Sequence, residues 1–420
     1  MRIVIIGAGL IGVSTAYFLA ETGHEVVVID RAEGSGRETS FANGGMLTPS
    51  QAAPWNTPGI GIKLMKWLGR AESPLLMTPA GLLSCAAWGV SFLKSSRIHR
   101  FRESQQKNNA LARYSLGILK QLRHTQSLEY DQASTGTMKI YRNRESFDDA
   151  CKLLETAAST DDSYQTLDVD GVLHIEPALS GIRDKLVGGI YYPTDESGDA
   201  HMFCTELARV TRENQVSFRF QTSAEGFVRE GNRIVAIKTS SGSIEADLFV
   251  LAAGSFSTLL AKSVGITLPI KPVKGYSLTL ELDDSDSLPG LPVIDESRHI
   301  AMTPLGNRLR LAGIAELAGY DTSIRNARIQ KLTAYANEIY PAIKHTIASG
   351  RGNEWAGLRP YCCDGVPIMG RTQLDNLLLN TGHGHLGWTM AAGSGKLLAD
   401  LINTGDTDID LVPYQLDRFS

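Results

Sequence analysis

Residues 3–30 read IVIIGAGLIGVSTAYFLAETGHEVVVID, and this stretch limits the rest of the chain more than any other. Its first residues are apolar and β-branched, as in a strand buried on both faces. Gly7, Gly9 and Gly12 follow in G-x-G-x-x-G spacing, and residues 13–20 carry helix formers with no breaker. Gly23 stops the helix, residues 25–29 form a second apolar strand, and Asp30 ends it. This pattern predicts a βαβ unit. Gly7 permits the tight turn, Gly9 lets backbone approach a pyrophosphate, and Gly12 lets helix and strand pack closely. The helix N-terminus offers free N–H groups and a dipole to an anion. Asp30 can accept hydrogen bonds from a ribose, and its charge repels a 2′-phosphate. A fortuitous glycine-rich turn is the competing reading. The flanking strand and helix, with an acid at the right distance, argue against it. The expectation is a dinucleotide containing ADP.

The length of 420 residues suggests two or three domains' worth of chain. With 43% hydrophobic and 20% charged residues, it has the make-up of an ordinary globular protein with a large core. A net charge of −4 provides no general attraction for nucleic acid. Five cysteines, an odd number in so long a chain, do not make a disulfide framework, so a reducing, cytoplasmic setting is expected. The N-terminal apolar run leads straight into the glycine turn with no cleavage site, unlike a signal peptide. No metal-ligand cluster, repeat or low-complexity segment stands out.

After a polar loop comes Ser40-Phe41-Ala42-Asn43-Gly44-Gly45-Met46. Two glycines beside Asn and Ser suit backbone held against something flat or anionic, and a flexible surface loop is the alternative. Residues 73–93 contain no charge and are flanked by Lys63, Lys66 and Arg70 before and by Lys94, Arg97, Arg100 and Arg102 after. Pro74, Pro79, Gly81 and Gly89 interrupt the run, which excludes a spanning helix. Two readings stay open: an interfacial element facing anionic lipid, or a core helix of a second domain with its cations in water.

Residues 103–128 repeat apolar positions at helical spacing (Leu111, Tyr114, Leu116, Leu119, Leu122). Strands are expected at 136–141 and 187–192, a helix at 145–158, and another at 201–213 with Asp199 as its N-cap. Residues 216–250 read as three strands joined by tight turns, a meander in place of a helical crossover. Residues 249–253 form a buried strand ending at Ala253 and Gly254, which returns to the sheet beside the first glycine turn. Residues 270–319 suggest an antiparallel sheet and 326–347 a helix. A strand at 376–379, the turn Gly382–Trp388 and a helix from 389 to 402 repeat the strand–glycine-turn–helix theme. Two such turns, one at each end of the chain, imply one cofactor domain assembled from both termini, with the middle inserted.

Several longer strings carry a resemblance: ETS-x-AN at 38–43, AAPW at 52–55, KGYSLT at 274–279 and NTGHGHLGWTMA at 380–391. With these the chain resembles, nearly end to end, the flavoprotein amine oxidoreductases of the D-amino-acid oxidase and glycine oxidase superfamily. Within it the chain is similar to the FAD-dependent D-amino-acid dehydrogenases of the small-subunit type. The resemblance implies an α/β fold: a Rossmann-like FAD-binding domain from residues 1–50, 195–270 and 350–420. It also implies an inserted α+β substrate domain with an antiparallel sheet, from 51–194 and 271–349. It implies FAD as cofactor, with Gly7, Gly9, Gly12, Asp30 and Arg31 on its ADP half. Ser40, Asn43, Gly44, Gly45 and Met46 would lie beside the isoalloxazine. Ala253 and Gly254 would touch the cofactor, and Gly384, His385, Leu386, Gly387, Trp388 and Thr389 would face the flavin's pyrimidine edge.

Arg359, in Gly-Leu-Arg-Pro, matches the family arginine that pairs with the substrate carboxylate, a planar group suited to a bidentate clamp. Tyr276 is a second substrate-side candidate. His383 and His385 are read as turn residues near the flavin, because hydride transfer needs a neutral amine and alignment rather than a protein base. Glycine oxidases place a carboxylate-contacting Tyr near 299–303, where this chain has Ala301 and Met302. The implied reaction is oxidative deamination of D-amino acids to 2-oxo acids and ammonia, with electrons passing to a quinone or another non-oxygen acceptor. The implied location is the cytoplasm, with the inner face of the plasma membrane open through contact at 55–93. An imino-acid dehydrogenase for D-proline or D-hydroxyproline, a glycine or sarcosine oxidase, and a flavin-bearing binding subunit are the alternatives.

Overall fold

The computed structural model describes residues 1–67, 75–77, 85–157, 164–283 and 289–420. Its organising layer is a six-stranded sheet in the order Ile368–Arg371, Leu377–Thr381, Leu248–Leu251, Arg2–Ile6, Glu25–Ile29, Ser217–Arg219. All neighbours are parallel except the edge pair Ile368–Arg371 with Leu377–Thr381. Successive side chains of a strand face opposite ways, and the central strand uses both faces. Ile3 and Ile5 join a core with helices, while Val4 and Ile6 join one with the meander Ala224–Glu230, Arg233–Thr239, Gly242–Glu245.

The helical face holds Leu10–Ala20, Gly387–Asn403 and Ile98–Gln126. Small residues bring these helices together. A Cβ on Gly395 would stand 2.6 Å from the backbone of Ser14, and one on Gly393 would stand 2.7 Å from the Ser115 side chain. The 29-residue helix Ile98–Gln126 therefore packs on the nucleotide-binding layer, not within the substrate domain where the sequence reading put it. Its apolar stripe, Leu111, Leu116, Leu119 and Leu122, is shared with that layer's core.

The second layer is a large, mainly antiparallel sheet. Its order is Gly352–Cys362, Ile270–Glu281, Arg308–Leu317, Ile300–Leu305, Val293–Asp295, Thr137–Tyr141, Gly188–Tyr192, Gln165–Leu167, with Leu75–Met77 added beside Arg308–Leu317. One face buries Leu278, Met302 and Leu311 against the helix Asn326–Ile339, and the other faces the first layer. Gly352–Cys362 is an edge strand of this sheet, which corrects its sequence-based placement in the FAD domain. The helix expected through 347 stops at Ile339, because Pro341 cannot continue it. Asp199 is the N-cap of Ala200–Glu213, accepting from the backbone of His201 at 2.9 Å and Met202 at 3.2 Å.

The uncharged run around 73–93 is not one core helix. It includes the strand Leu75–Met77 and most of the helix Ala86–Ser95, and its residues 73–74 and 78–84 lie outside the described residues. The helices Ile60–Trp67 and Ala86–Ser95 expose Ile62, Met65, Val90 and Leu93. Among the described residues no helix is long and apolar enough to cross a membrane.

Candidate active site

A cavity of about 1340 Å³ runs between the two sheets, from the first glycine turn to the face of the large sheet. At its nucleotide end the turn is built as its sequence demands. Gly7 has φ +110°, and a Cβ there would meet the Ala252 carbonyl at 2.6 Å. A Cβ on Gly12 would lie 1.8 Å from the Gly7 carbonyl oxygen, so Gly12 serves packing and does not line the cavity. Gly9 does line it, with only Ser40 Oγ within reach of a Cβ, at 3.4 Å. Ser40 also accepts from the first helical N–H, Leu10, at 3.2 Å.

Asp30 sits at the end of the second strand with both oxygens engaged by backbone, Ala8 N at 2.7 Å and Ala32 N at 2.8 Å. These bonds fix the carboxylate at the cavity wall, and each oxygen keeps a free lone pair. Arg31 pairs through Nε with Glu38 at 3.0 Å and lies over the Phe256 ring, 3.8 Å from its centroid.

Asn43, Gly44, Gly45, Met46, Ala253 and Gly254 all border the middle of the cavity. Asn43 Oδ1 accepts from Gly45 N at 2.9 Å, and Thr303 donates to the Gly44 carbonyl at 2.6 Å, tying this loop to the large sheet. At Gly44 and Gly254 an added Cβ would meet nothing within 4 Å. The space beside both backbones is open, as a bound group requires.

From the second glycine turn, Gly384, His385, Gly387 and Trp388 reach the cavity. Leu386 and Thr389, expected there too, do not. Leu386 packs with Leu111 and Met390, and Thr389 Oγ1 accepts from Thr48 N at 3.1 Å. Helical periodicity turns those two positions away from the face that Gly387 and Trp388 present. His383 also lines the cavity, with Nε2 2.9 Å from Ser394 Oγ. Burial pulls the His383 pKa down to about 3. His385 stacks on Trp55 (5.1 Å, 22°), and burial, helped by the Arg359 charge, takes its pKa down to about 4. Both imidazoles are neutral at ordinary pH and poor proton acceptors.

At the far end stands Arg359, on Gly352–Cys362. Its guanidinium lies over Gly275 of the neighbouring strand, where a Cβ would come within 2.0 Å of Nη1, and its carbon is 5.8 Å from the Trp55 ring centroid. Nη1 is buried with no hydrogen-bond partner, and among the described residues no acid pairs with the group. Burial lowers its pKa to about 10, which leaves it charged at neutral pH. A cation that faces a cavity with one nitrogen buried and unpartnered calls for an anion.

Two hydroxyls that sequence reasoning did not single out hold its strand. Thr39 Oγ1 and Ser255 Oγ both donate to the Leu358 carbonyl, at 2.8 and 3.0 Å. Thr39 lies inside the ETS-x-AN string, which was the available signal; Ser255 had none beyond its place after the buried strand. Tyr276 also borders the cavity, and its hydroxyl donates to Glu316 at 2.9 Å.

A Rossmann-type turn with its acid, a second helix start and Arg359 thus line one cavity. The chain matches the model of the DAO family, described as FAD dependent oxidoreductase, over residues 2–401, and it belongs to that family. FAD is accordingly its cofactor, and the turn, Asp30 and the open backbone at Gly44 and Gly254 fit it. Among curated relatives, the D-amino acid dehydrogenase of Granulibacter bethesdensis is 42% identical over 420 residues, covering 100% of both chains. That of Xanthobacter autotrophicus is 42% identical over 421 residues, covering 100% of this chain and 99% of its own. Among solved structures, glycine oxidase from Bacillus cereus shares the fold, with a TM-score of 0.73 at 24% identity over 97% of this chain and 96% of that one.

Proposed function

We propose that this protein oxidatively deaminates D-amino acids to 2-oxo acids and ammonia. The observation that carries the reading is Arg359, which faces the cavity with Nη1 buried and, among the described residues, without a partner. It gives a carboxylate a planar, charge-assisted clamp. The full-length likeness to D-amino acid dehydrogenases supports the choice of substrate. FAD, when bound, supplies the acceptor for the hydride that leaves Cα. The protein's part is to hold the substrate carboxylate at Arg359 and to keep that arginine in place through Gly275, Thr39 and Ser255. Neutral His383 and His385 add no positive charge that would disfavour a protonated amine on arrival. The amine then loses its proton to solvent, a C=N bond forms, and water hydrolyses it.

We further propose that the electrons leave to a lipid-soluble quinone at an anionic membrane surface. Met65, Val90 and Leu93 are exposed and also border the cavity, so its mouth opens among apolar side chains. Lys63, Lys66 and Lys94 stand on the same two helices, a basic and apolar mixture that suits a headgroup boundary.

The test is anaerobic titration of the FAD-loaded protein with D-alanine, D-proline and glycine, followed by flavin absorbance. Bleaching by D-alanine in preference to the other two supports the reading. Bleaching by D-proline or glycine alone, or by none of these and not by D-phenylalanine either, overturns it.

A further inference from the structure

Resting on that reading, we infer that the substrate's side chain lies across Ala312 and Ala301, and that these two alanines make the site one for bulky apolar side chains. The argument begins with the register of the large sheet. Ala312 pairs with Ala301, Ala301 with Ile294, and Ile294 with Lys139. These four residues form one cross-strand row, and all four border the cavity. Their chain neighbours Leu311 and Met302 point the other way, into the core under the sheet. The row is thus the cavity's floor, and at the two positions nearest Gly275, Ala312 and Ala301, it carries only a methyl group.

Its position relative to the reaction follows from strand geometry. Two residues along from Ala301, on the same face, Thr303 is bonded to Gly44 of the cofactor loop. Ala301 is therefore the first floor residue beyond the loop. In the other direction, Arg359 lies over Gly275, two residues along its strand from Ser277, which pairs with Ala312. With strands about 4.8 Å apart and about 6.8 Å per two residues, Ala312 lies roughly 8 Å and Ala301 roughly 12 Å from Gly275. A carboxylate on Arg359 places Cα short of Ala312, so the side chain runs out over Ala312 toward Ala301.

A local irregularity shapes this wall. The pairing of Ile270–Glu281 with Arg308–Leu317 slips between Lys274 and Tyr276, around Gly275. Across from the slip, Ile314 has φ +59° and borders the cavity. A β-branched residue rarely adopts that conformation, and such strain collects at binding sites. The far end of the row is closed by Lys139, whose Nζ is paired with Glu296 at 3.1 Å. That charge is already matched, so it asks for no charge on the ligand. The floor offers length and apolar contact, the complement of a phenyl or branched aliphatic group.

The experiment uses the FAD-loaded protein and an artificial dye acceptor, comparing kcat/KM for D-phenylalanine and D-alanine. In the parent the ratio is expected to favour D-phenylalanine at least tenfold. Ala301→Phe fills the floor and is expected to lower that ratio at least tenfold, and Ala301→Leu by a smaller factor, with flavin content as the check on folding. Should Ala301→Phe fail to hold FAD, Ala301→Leu alone reads the same ratio. A parent ratio below ten, or a ratio unmoved in the variant that holds FAD, overturns the inference. If D-alanine bleaches the flavin and D-phenylalanine does not, the side-chain assignment fails and the deamination reading stands. If neither D-alanine nor D-phenylalanine bleaches it, the deamination reading fails as well.

Discussion

The guanidinium of Arg359 rests on Gly275, with no room for even a methyl group between them. The side chain at position 275 therefore sets where the substrate carboxylate can bind. Gly275→Ala is expected to push the guanidinium aside and lower kcat/KM for a D-amino acid by about 100-fold, since misplacement by an ångström is that costly. FAD content, read from absorbance, is expected to stay at the parent level. Unchanged kinetics would show that Arg359 does not act from this position.

Arg359 itself separates charge from geometry. Arg359→Leu removes a charge-assisted clamp, and about 3–4 kcal/mol of lost binding corresponds to roughly 10²–10³-fold in kcat/KM. Arg359→Lys keeps the charge but not the fork, so it is expected to fall between leucine and the parent. Equal activity in all three proteins would remove the carboxylate from this residue.

His383 gives the stability a pH dependence of defined sign. Its folded pKa is lowered to about 3 by burial, whereas an unfolded histidine titrates near its ordinary value. Between those values the unfolded chain binds more protons, so stability falls as pH falls through that window. His383→Gln can keep a contact with Ser394 and cannot titrate. Its loss of stability from pH 7 to 5 is expected to be smaller than the parent's by about 1–2 kcal/mol. Denaturant midpoints at the two pH values measure this, and parallel pH curves would contradict it.

Asp199 joins two elements at once. Its Oδ1 caps the helix Ala200–Glu213, and its Oδ2 stands 3.0 Å from both Arg308 and Arg310 of the large sheet. Burial alone would raise its pKa, but the charge on Arg310, two backbone N–H groups and the charge on Arg308 outweigh that and hold it below the usual range. Asp199→Ala strands the buried Arg310 and uncaps the helix, with an expected cost of about 3–5 kcal/mol. Asp199→Asn keeps a cap acceptor and is expected to cost less. Chemical denaturation separates the two, and a loss under 1 kcal/mol in the alanine variant would refute this role.

The basic residues of the helix Ile60–Trp67 provide a test of membrane contact. Each cation near an anionic surface adds about 1 kcal/mol. Reversing two of them, in Lys63→Glu with Lys66→Glu, is expected to weaken co-sedimentation with phosphatidylserine-containing vesicles at least tenfold, and high salt is expected to weaken the parent's binding. Parent protein that ignores such vesicles at low salt would rule out this contact.

Local signals made some of the architecture legible. The turn Gly7–Gly12 is specified by residues within hydrogen-bonding reach of one another along the chain, and so is the Asp199 cap. The second turn could be read for the same reason, although helical periodicity sent Leu386 and Thr389 into the core instead of toward the cavity. The long helix Ile98–Gln126 was visible as a helix, but its amphipathic stripe says only that it packs, not against which layer. Arg359 could be proposed from its motif, yet that no acid pairs with it among the described residues is a property of everything around it.

By itself, then, the sequence determined the βαβ unit, the cofactor class and the main candidate for carboxylate binding. Only the tertiary structure decided that Gly275 seats Arg359, that Thr39 and Ser255 hold the carbonyl before it, and that Ala312 and Ala301 share a floor. Helix caps and glycine turns arise from contacts a few residues apart, which spacing encodes. Cross-strand rows and buried ion pairs join segments far apart in the chain, and their register is set by how whole faces pack.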